Sequence, residues 1–151
     1  MGSFYTEVIP LSKFLKGTLF YLPLFLAGGL IYNLIECLYR GYTHISMFFA
    51  GGLCLALIAL IDHRLPSIRF IPKVLLSALS ITAIEFIFGI FLNVIGNLSV
   101  WDYSSNPYNL YGQICLLSFF YWVALSVPSI LISRVYRRAF KSFFEERDPV
   151  I

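Results

Sequence analysis

Between Val74 and Val100 the chain carries a single charged side chain, Glu85, within the run VLLSALSITAIEFIFGIFLNVIG. A helix needs about 20 apolar residues to cross the roughly 30 Å hydrocarbon core of a bilayer, and this run has them. A carboxylate near the centre of a spanning helix costs at least about 2.5–3.5 kcal/mol, so it faces a protein interior or a wet cavity rather than lipid. A second acid, Glu36, lies near the end of another apolar run. The two acids and their surroundings confine the chain to an integral membrane fold with a buried polar site.

Composition excludes a soluble domain. Of the 151 residues, 59% are hydrophobic, 18% aromatic and 13% charged, against about 25% charged in soluble domains. The net charge of +3 raises nucleic acid as a partner, but the basic residues flank the apolar runs, as expected beside lipid headgroups. The expected partner is therefore the lipid bilayer, with no nucleic acid. Cys37, Cys54 and Cys115 lie in or beside apolar runs, form no C-x-x-C, and are odd in number, so they read as small packing residues rather than as disulfides or metal ligands. Neither a metal nor a cofactor is expected. Lys13 and Lys16 precede the first apolar run as in a signal peptide. That run is too long for one and lacks an A-x-A pattern, which predicts an uncleaved first span.

The expected fold class is all-α: one polytopic domain over residues 1–151 with four transmembrane helices, about 14–38, 45–61, 71–95 and 111–132, and a basic tail at 133–151. Pro23 and Pro128 fall inside the first and fourth spans, where prolines kink a membrane helix without ending it. With four spans, ten of the eleven Lys and Arg residues fall on one side: Lys13, Lys16, Arg64, Arg69, Lys73, Arg134, Arg137, Arg138, Lys141 and Arg147. Only Arg40 falls on the other. This bias predicts both termini in the cytoplasm of a bacterial cell, with the chain in the cytoplasmic membrane. The tail SRVYRRAFKSFFEERDPVI fits either an amphipathic anchor or docking site on anionic lipid or a cytoplasmic partner, or an ordinary basic flank.

At 100° per residue, Gly29, Asn33, Glu36 and Arg40 share one stripe of the first span, and Ala78, Thr82, Glu85, Gly89, Asn93 and Gly96 share one of the third. Gly52, Ala56, Ala59 and His63 do so on the second, and Ser118, Trp122, Ser129 and Ser133 on the fourth. Small and polar residues allow membrane helices to approach and hydrogen-bond, so these stripes read as the inward faces. Two roles fit Glu36: a rim position in a polar site, or a local i,i+4 pair with Arg40. Glu85 has no base within a turn and must be paired from another helix, hydrated or protonated. Asn33 and Asn93 suit interhelical hydrogen bonding as well as ligand binding. FLAGGL (Phe25–Leu30) and FFAGGL (Phe48–Leu53) read as close-packing points, not phosphate cradles.

The segment VWDYSSNPYNLYGQICL, starting at Val100, is aromatic, rich in turn formers and charged only at Asp102. It fits a cap over the outer end of the bundle or a ligand-contacting lid. Glu36, Arg40, Gly41, His44, Ser46 and Met47, then Gly51-Gly52, then Ile84-Glu85-Phe86, then the W-D-Y-S-x-x-P-x-N-x-x-G-Q-I-C-L pattern, together resemble the ABC-transporter type IV permease family of small bacterial membrane proteins. The resemblance runs from about Gly29 to Trp122. It implies a transport function and, because the chain has no Walker A motif, an ATPase supplied by another chain. Four spans are few to enclose a path, which points to a homo-oligomer or a partner membrane subunit.

The leading expectation is a permease component that binds a small solute or ion in an outward-facing polar cavity. Its candidate residues are Glu85, Glu36, Arg40, His44, Asp102, Asn33, Asn93 and Gln113. The alternatives are a membrane-embedded enzyme acting on a lipid or envelope precursor through Glu85, His44 and Asp102, or an accessory scaffold subunit. The sequence contains no H-E-x-x-H or G-x-S-x-G pattern to support the enzyme.

Overall fold

The computed structural model describes residues 11–145. Arg147 and the end of the basic tail lie outside them, as do the side chains of Lys13 and Lys16. The described chain forms α1 (Leu11–Arg40), α2 (Ile45–Arg64), α3 (Phe70–Gly89) continuing into wide π turns at Ile90–Ile95, and α4 (Leu116–Glu145). All four are long and apolar enough to cross a membrane. Among the described residues there is no strand, only an isolated antiparallel bridge between Leu110 and Ile114. Pro23 and Pro128 are both accommodated inside continuous helices.

Helix α2 is central, packed against α1, α3 and α4, while α1 meets α4 only sparsely. In a bilayer, lipid is as apolar as leucine, so close van der Waals contact holds helices together in place of the hydrophobic effect. The two Gly-Gly pairs supply that contact. A Cβ on Gly28 would lie 2.6 Å from the Gly51 carbonyl oxygen, and one on Gly52 would lie 2.7 Å from that of Phe25. The Phe48 ring covers Gly29, and Tyr32 lies against Gly51. The similar motifs FLAGGL and FFAGGL therefore face each other across the α1–α2 seam. On the far side of α1, Leu19, Leu22, Leu26, Leu30, Leu34 and Leu38 are exposed at helical spacing, as suits a lipid-facing ridge.

The core continues with Phe20, Leu24, Leu55 and Ala59 between α1 and α2, and with Ile58, Val74, Ile81 and Ile130 where α2, α3 and α4 meet. Where α1 and α4 do approach, Phe20 packs on Tyr136 and Phe140, and Tyr32 stacks on Trp122 with ring centroids 5.9 Å apart. Between these contacts an apolar cavity of about 250 Å³ is lined by Gly28, Tyr32, Gly51, Ile58, Trp122 and Pro128, among others.

Helix α4 starts at Leu116, five residues later than the pattern of apolar residues suggests. Tyr111 and Gly112 take positive φ, which a helix cannot continue. Cys115 and Ser118 then cap the new helix reciprocally: the Cys115 N–H donates to Ser118 Oγ at 3.1 Å, and the Ser118 N–H donates to Cys115 Sγ at 3.3 Å. The wide turns that end α3 are a second departure from a regular helix. There the Gly96 N–H reaches back five residues to the Phe91 carbonyl at 3.0 Å. This rotates Gly96 out of the inward stripe and leaves it exposed.

Candidate functional site

Glu85 is 8% exposed, on the face of α3 that packs into the bundle. Trp122 of α4 donates its indole N–H to Glu85 Oε2 at 2.7 Å, and the Tyr103 hydroxyl donates to Oε1 at 3.0 Å. Among the described residues no cation pairs with the carboxylate. Burial pushes the Tyr103 phenol above its ordinary range, so it remains protonated and a donor. Trp122 also lines the apolar cavity between α1 and α4 and stacks on Tyr32, so the acid lies directly behind that cavity's wall.

Tyr103 belongs to the segment between α3 and α4, which folds back over the bundle and is tied down at several points. The Asn93 amide donates to the Trp101 carbonyl at 2.9 Å and to Gln113 Oε1 at 2.8 Å, while Asn93 Oδ1 accepts from the Val100 N–H at 2.7 Å. The Trp101 indole donates to the Gln113 carbonyl at 2.9 Å. Gln113 fits because residue 89 is glycine: a Cβ there would meet Gln113 Oε1 at 2.6 Å. The wide turns at Ile90–Ile95 carry Asn93, on which these bonds converge. Asn97, Ser99, Tyr108 and Tyr111 all hold positive φ, a strained conformation that persists only when its surroundings over-determine it.

Helix α1 is joined to the same cap. Arg40 forms an i,i+4 ion pair with Glu36 and donates from Nη1 to the Val100 carbonyl at 2.8 Å. The Thr43 hydroxyl lies 3.2 Å from Asn33 Oδ1 and 3.4 Å from Glu36 Oε2. One polar network thus runs from Asn33, Glu36 and Arg40 through Val100 to Asn93 and Gln113.

The other two expected site residues lie elsewhere. His44 caps α2, accepting from the Ser46 N–H at Nδ1 over 3.3 Å and lying 2.7 Å from Ser46 Oγ. Asp102 is exposed and accepts from the hydroxyl and N–H of Ser104, which hold its carboxyl below the usual carboxylate range. No hydrogen bond joins either residue to Glu85. Among the described residues no group of three or more His, Cys, Asp or Glu has the geometry to hold a metal.

Residues that sequence reasoning passed over complete the picture. Tyr103 and Trp122 read as an interfacial aromatic and an inward-face residue, yet both are hydrogen-bond partners of Glu85. At the opposite end of the bundle, Asp62 is the hub of an ion cluster. Lys73 of α3 and Arg134 and Arg137 of α4 reach it at 2.8, 2.9 and 2.8 Å. Asp62 reads in sequence as the polar close of a span, and the three bases as flank charges.

Comparison with curated proteins and with solved structures gave no match to the chain. Comparison with family models did, over residues 12–148. Four apolar helices of spanning length and that extended match establish a multi-pass membrane protein related to ABC transporters. The chain belongs to the family described as Putative ABC-transporter type IV.

Proposed function

We propose that this chain is the membrane-embedded component of a transport system in a bacterial cytoplasmic membrane, and that it binds a small solute or ion at Glu85. Both termini would face the cytoplasm, in keeping with the basic flanks. In this reading residues 96–115 close the outer end of the bundle over the acid. The observation that carries this reading is the company Glu85 keeps: a buried acid in an apolar span, held by neutral donors, Trp122 and Tyr103 among them, and by no cation among the described residues. Acids in that setting mark ion, proton or substrate pathways. One of these donors, Tyr103, sits on the cap, so lifting the cap exposes the carboxylate and leaves it short of a partner. A cation, a proton or a solute ammonium group is its natural complement. Energy would come from an ATPase on another chain.

Carbodiimide labelling followed by intact-mass measurement tests this in the purified full chain. Glu85 should react, Glu85→Gln should remove that adduct while keeping the fold, and one cation from a panel of Na⁺, K⁺, NH₄⁺ and choline should protect. Equal labelling under every condition would sink the reading.

The apolar cavity between the sparsely contacting α1 and α4 favours a second role, as an accessory subunit that receives an apolar side chain from a helix of another membrane protein. Stable copurification with such a partner, lost on Ile132→Trp at the exposed edge of the cavity, would support it. The enzyme alternative has less support, because His44 and Asp102 are engaged away from Glu85.

A further inference from the structure

The ion cluster at Asp62 is over-supplied with positive charge. The Asp62 side chain is 1% exposed and that of Lys73 3%, so both are removed from solvent. Asp62 Oδ1 accepts from Lys73 Nζ at 2.8 Å and from Arg134 Nε and Nη2 at 3.1 and 2.9 Å, and Oδ2 accepts from Arg137 Nη2 at 2.8 Å. One carboxylate therefore holds three cations within hydrogen-bonding distance. It can neutralise only one of them, and the other two repel each other in a partly dehydrated site.

The cluster forms the wall of a cavity of about 240 Å³, lined by Asp62, Pro66, Lys73, Arg134, Arg137 and Arg138. This is several times the roughly 30 Å³ that one water occupies, and leaves room for a tetrahedral anion. The Arg134 and Arg137 side chains, 33% and 31% exposed, keep N–H donors beyond those given to Asp62. Arg138 adds a fourth cation to the lining without bonding to Asp62. The Arg134 guanidinium is further positioned over the Phe70 ring, 5.5 Å from its centroid. Asp62 thus works as a fixed counter-charge that orients the cations, with both of its own oxygens already covered by donors.

We infer that this cavity, at the end of the bundle opposite the Glu85 cap, binds a phosphate-bearing anion through Lys73, Arg134, Arg137 and Arg138. Planar guanidinium forks match phosphate oxygens, and basic pockets between membrane helices are sites for anionic headgroups. The phosphate could belong to a phospholipid headgroup or to a soluble molecule. Exposed apolar residues on neighbouring turns, Ile71 and Leu75 on α3 and Leu131 and Val135 on α4, would suit the acyl chains of a lipid. The inference does not depend on the role of Glu85.

The test is thermal unfolding and native mass spectrometry of the delipidated full chain in neutral detergent. The probes are dioctanoyl phosphatidylglycerol, dioctanoyl phosphatidylcholine, and inorganic phosphate against chloride at equal ionic strength. Phosphatidylglycerol should raise the melting temperature and bind with defined stoichiometry, where phosphatidylcholine does neither. Phosphatidylglycerol acting without inorganic phosphate identifies a lipid source, and inorganic phosphate acting without phosphatidylglycerol a soluble one; either supports the site. Arg138→Gln, which leaves the Asp62 bonds intact, should weaken binding about fivefold, the effect of one basic residue at a headgroup, and Arg138→Lys should restore part of it. Arg69→Gln removes an exposed charge at the same end but off the cavity, and should change little. No shift with either anion, or equal weakening by Arg69→Gln and Arg138→Gln, would overturn the proposal.

Discussion

Trp122 on α4 donates its indole N–H to Glu85 on α3 at 2.7 Å, and this bond ties a buried acid of an apolar helix to the helix that also bears the basic end. The same indole stacks on Tyr32 of α1. Trp122 is thus the point where three helices and the buried carboxylate meet, and losing its N–H should be felt even where an aromatic ring remains.

Trp122→Phe keeps an aromatic ring while removing the donor. It should lower unfolding stability in detergent by about 1–2 kcal/mol, where the ranges for hydrogen bonds to charged groups and for interhelical bonds in membranes overlap. Tyr121→Phe, on the exposed side of α4, should leave stability within about 0.5 kcal/mol of wild type. Equal effects from the two would mean that the indole bond contributes nothing.

The Gly-Gly seam gives a sharper contrast. Gly28→Ala places a Cβ 2.6 Å from a backbone oxygen that cannot yield without moving α2. A loss of about 1–3 kcal/mol is expected, as for other overpacked contacts. Gly17→Ala meets nothing within 4 Å and should be neutral or stabilising by up to about 1 kcal/mol through helix propensity. Chemical denaturation of the two variants side by side provides the measurement.

Asn93 makes three hydrogen bonds to the segment that folds over the bundle. Asn93→Ala should loosen that segment while leaving the helices intact. At about 0.5–1.5 kcal/mol per bond, chymotrypsin cleavage near Tyr103 and Tyr108 should quicken at least about tenfold. An unchanged cleavage rate with unchanged helicity would show that the cap is held by other means.

The proposed orientation is open to labelling from outside the cell. With the three native cysteines replaced, an impermeant maleimide should reach Ser105→Cys in intact cells and Ser67→Cys only after permeabilisation. The reverse pattern would place both termini outside.

The sequence by itself settled the four spans, because the length and polarity of a run are local quantities and the bilayer sets the length required. It also settled that Glu85 turns inward, since a helical stripe of small and polar residues is read from spacing alone, and lipid exposure of a carboxylate is too costly. The Glu36–Arg40 pair was equally legible, because i,i+4 neighbours meet wherever the helix goes. Spacing cannot say what stands opposite a face. That Tyr103 and Trp122 are partners of Glu85 follows from how the cap folds back and how α4 is rotated, and neither is encoded in a local period. The start of α4 at Leu116 was hidden because the positive φ of Tyr111 and the capping by Cys115 are conformational, while the residues around them are apolar enough for a span. Lys73, Arg134 and Arg137 look the same in sequence whether solvated at a membrane surface or gathered on a buried aspartate. Only tertiary packing decided between those states, because α2, α3 and α4 must converge before three cations can share the carboxylate of Asp62.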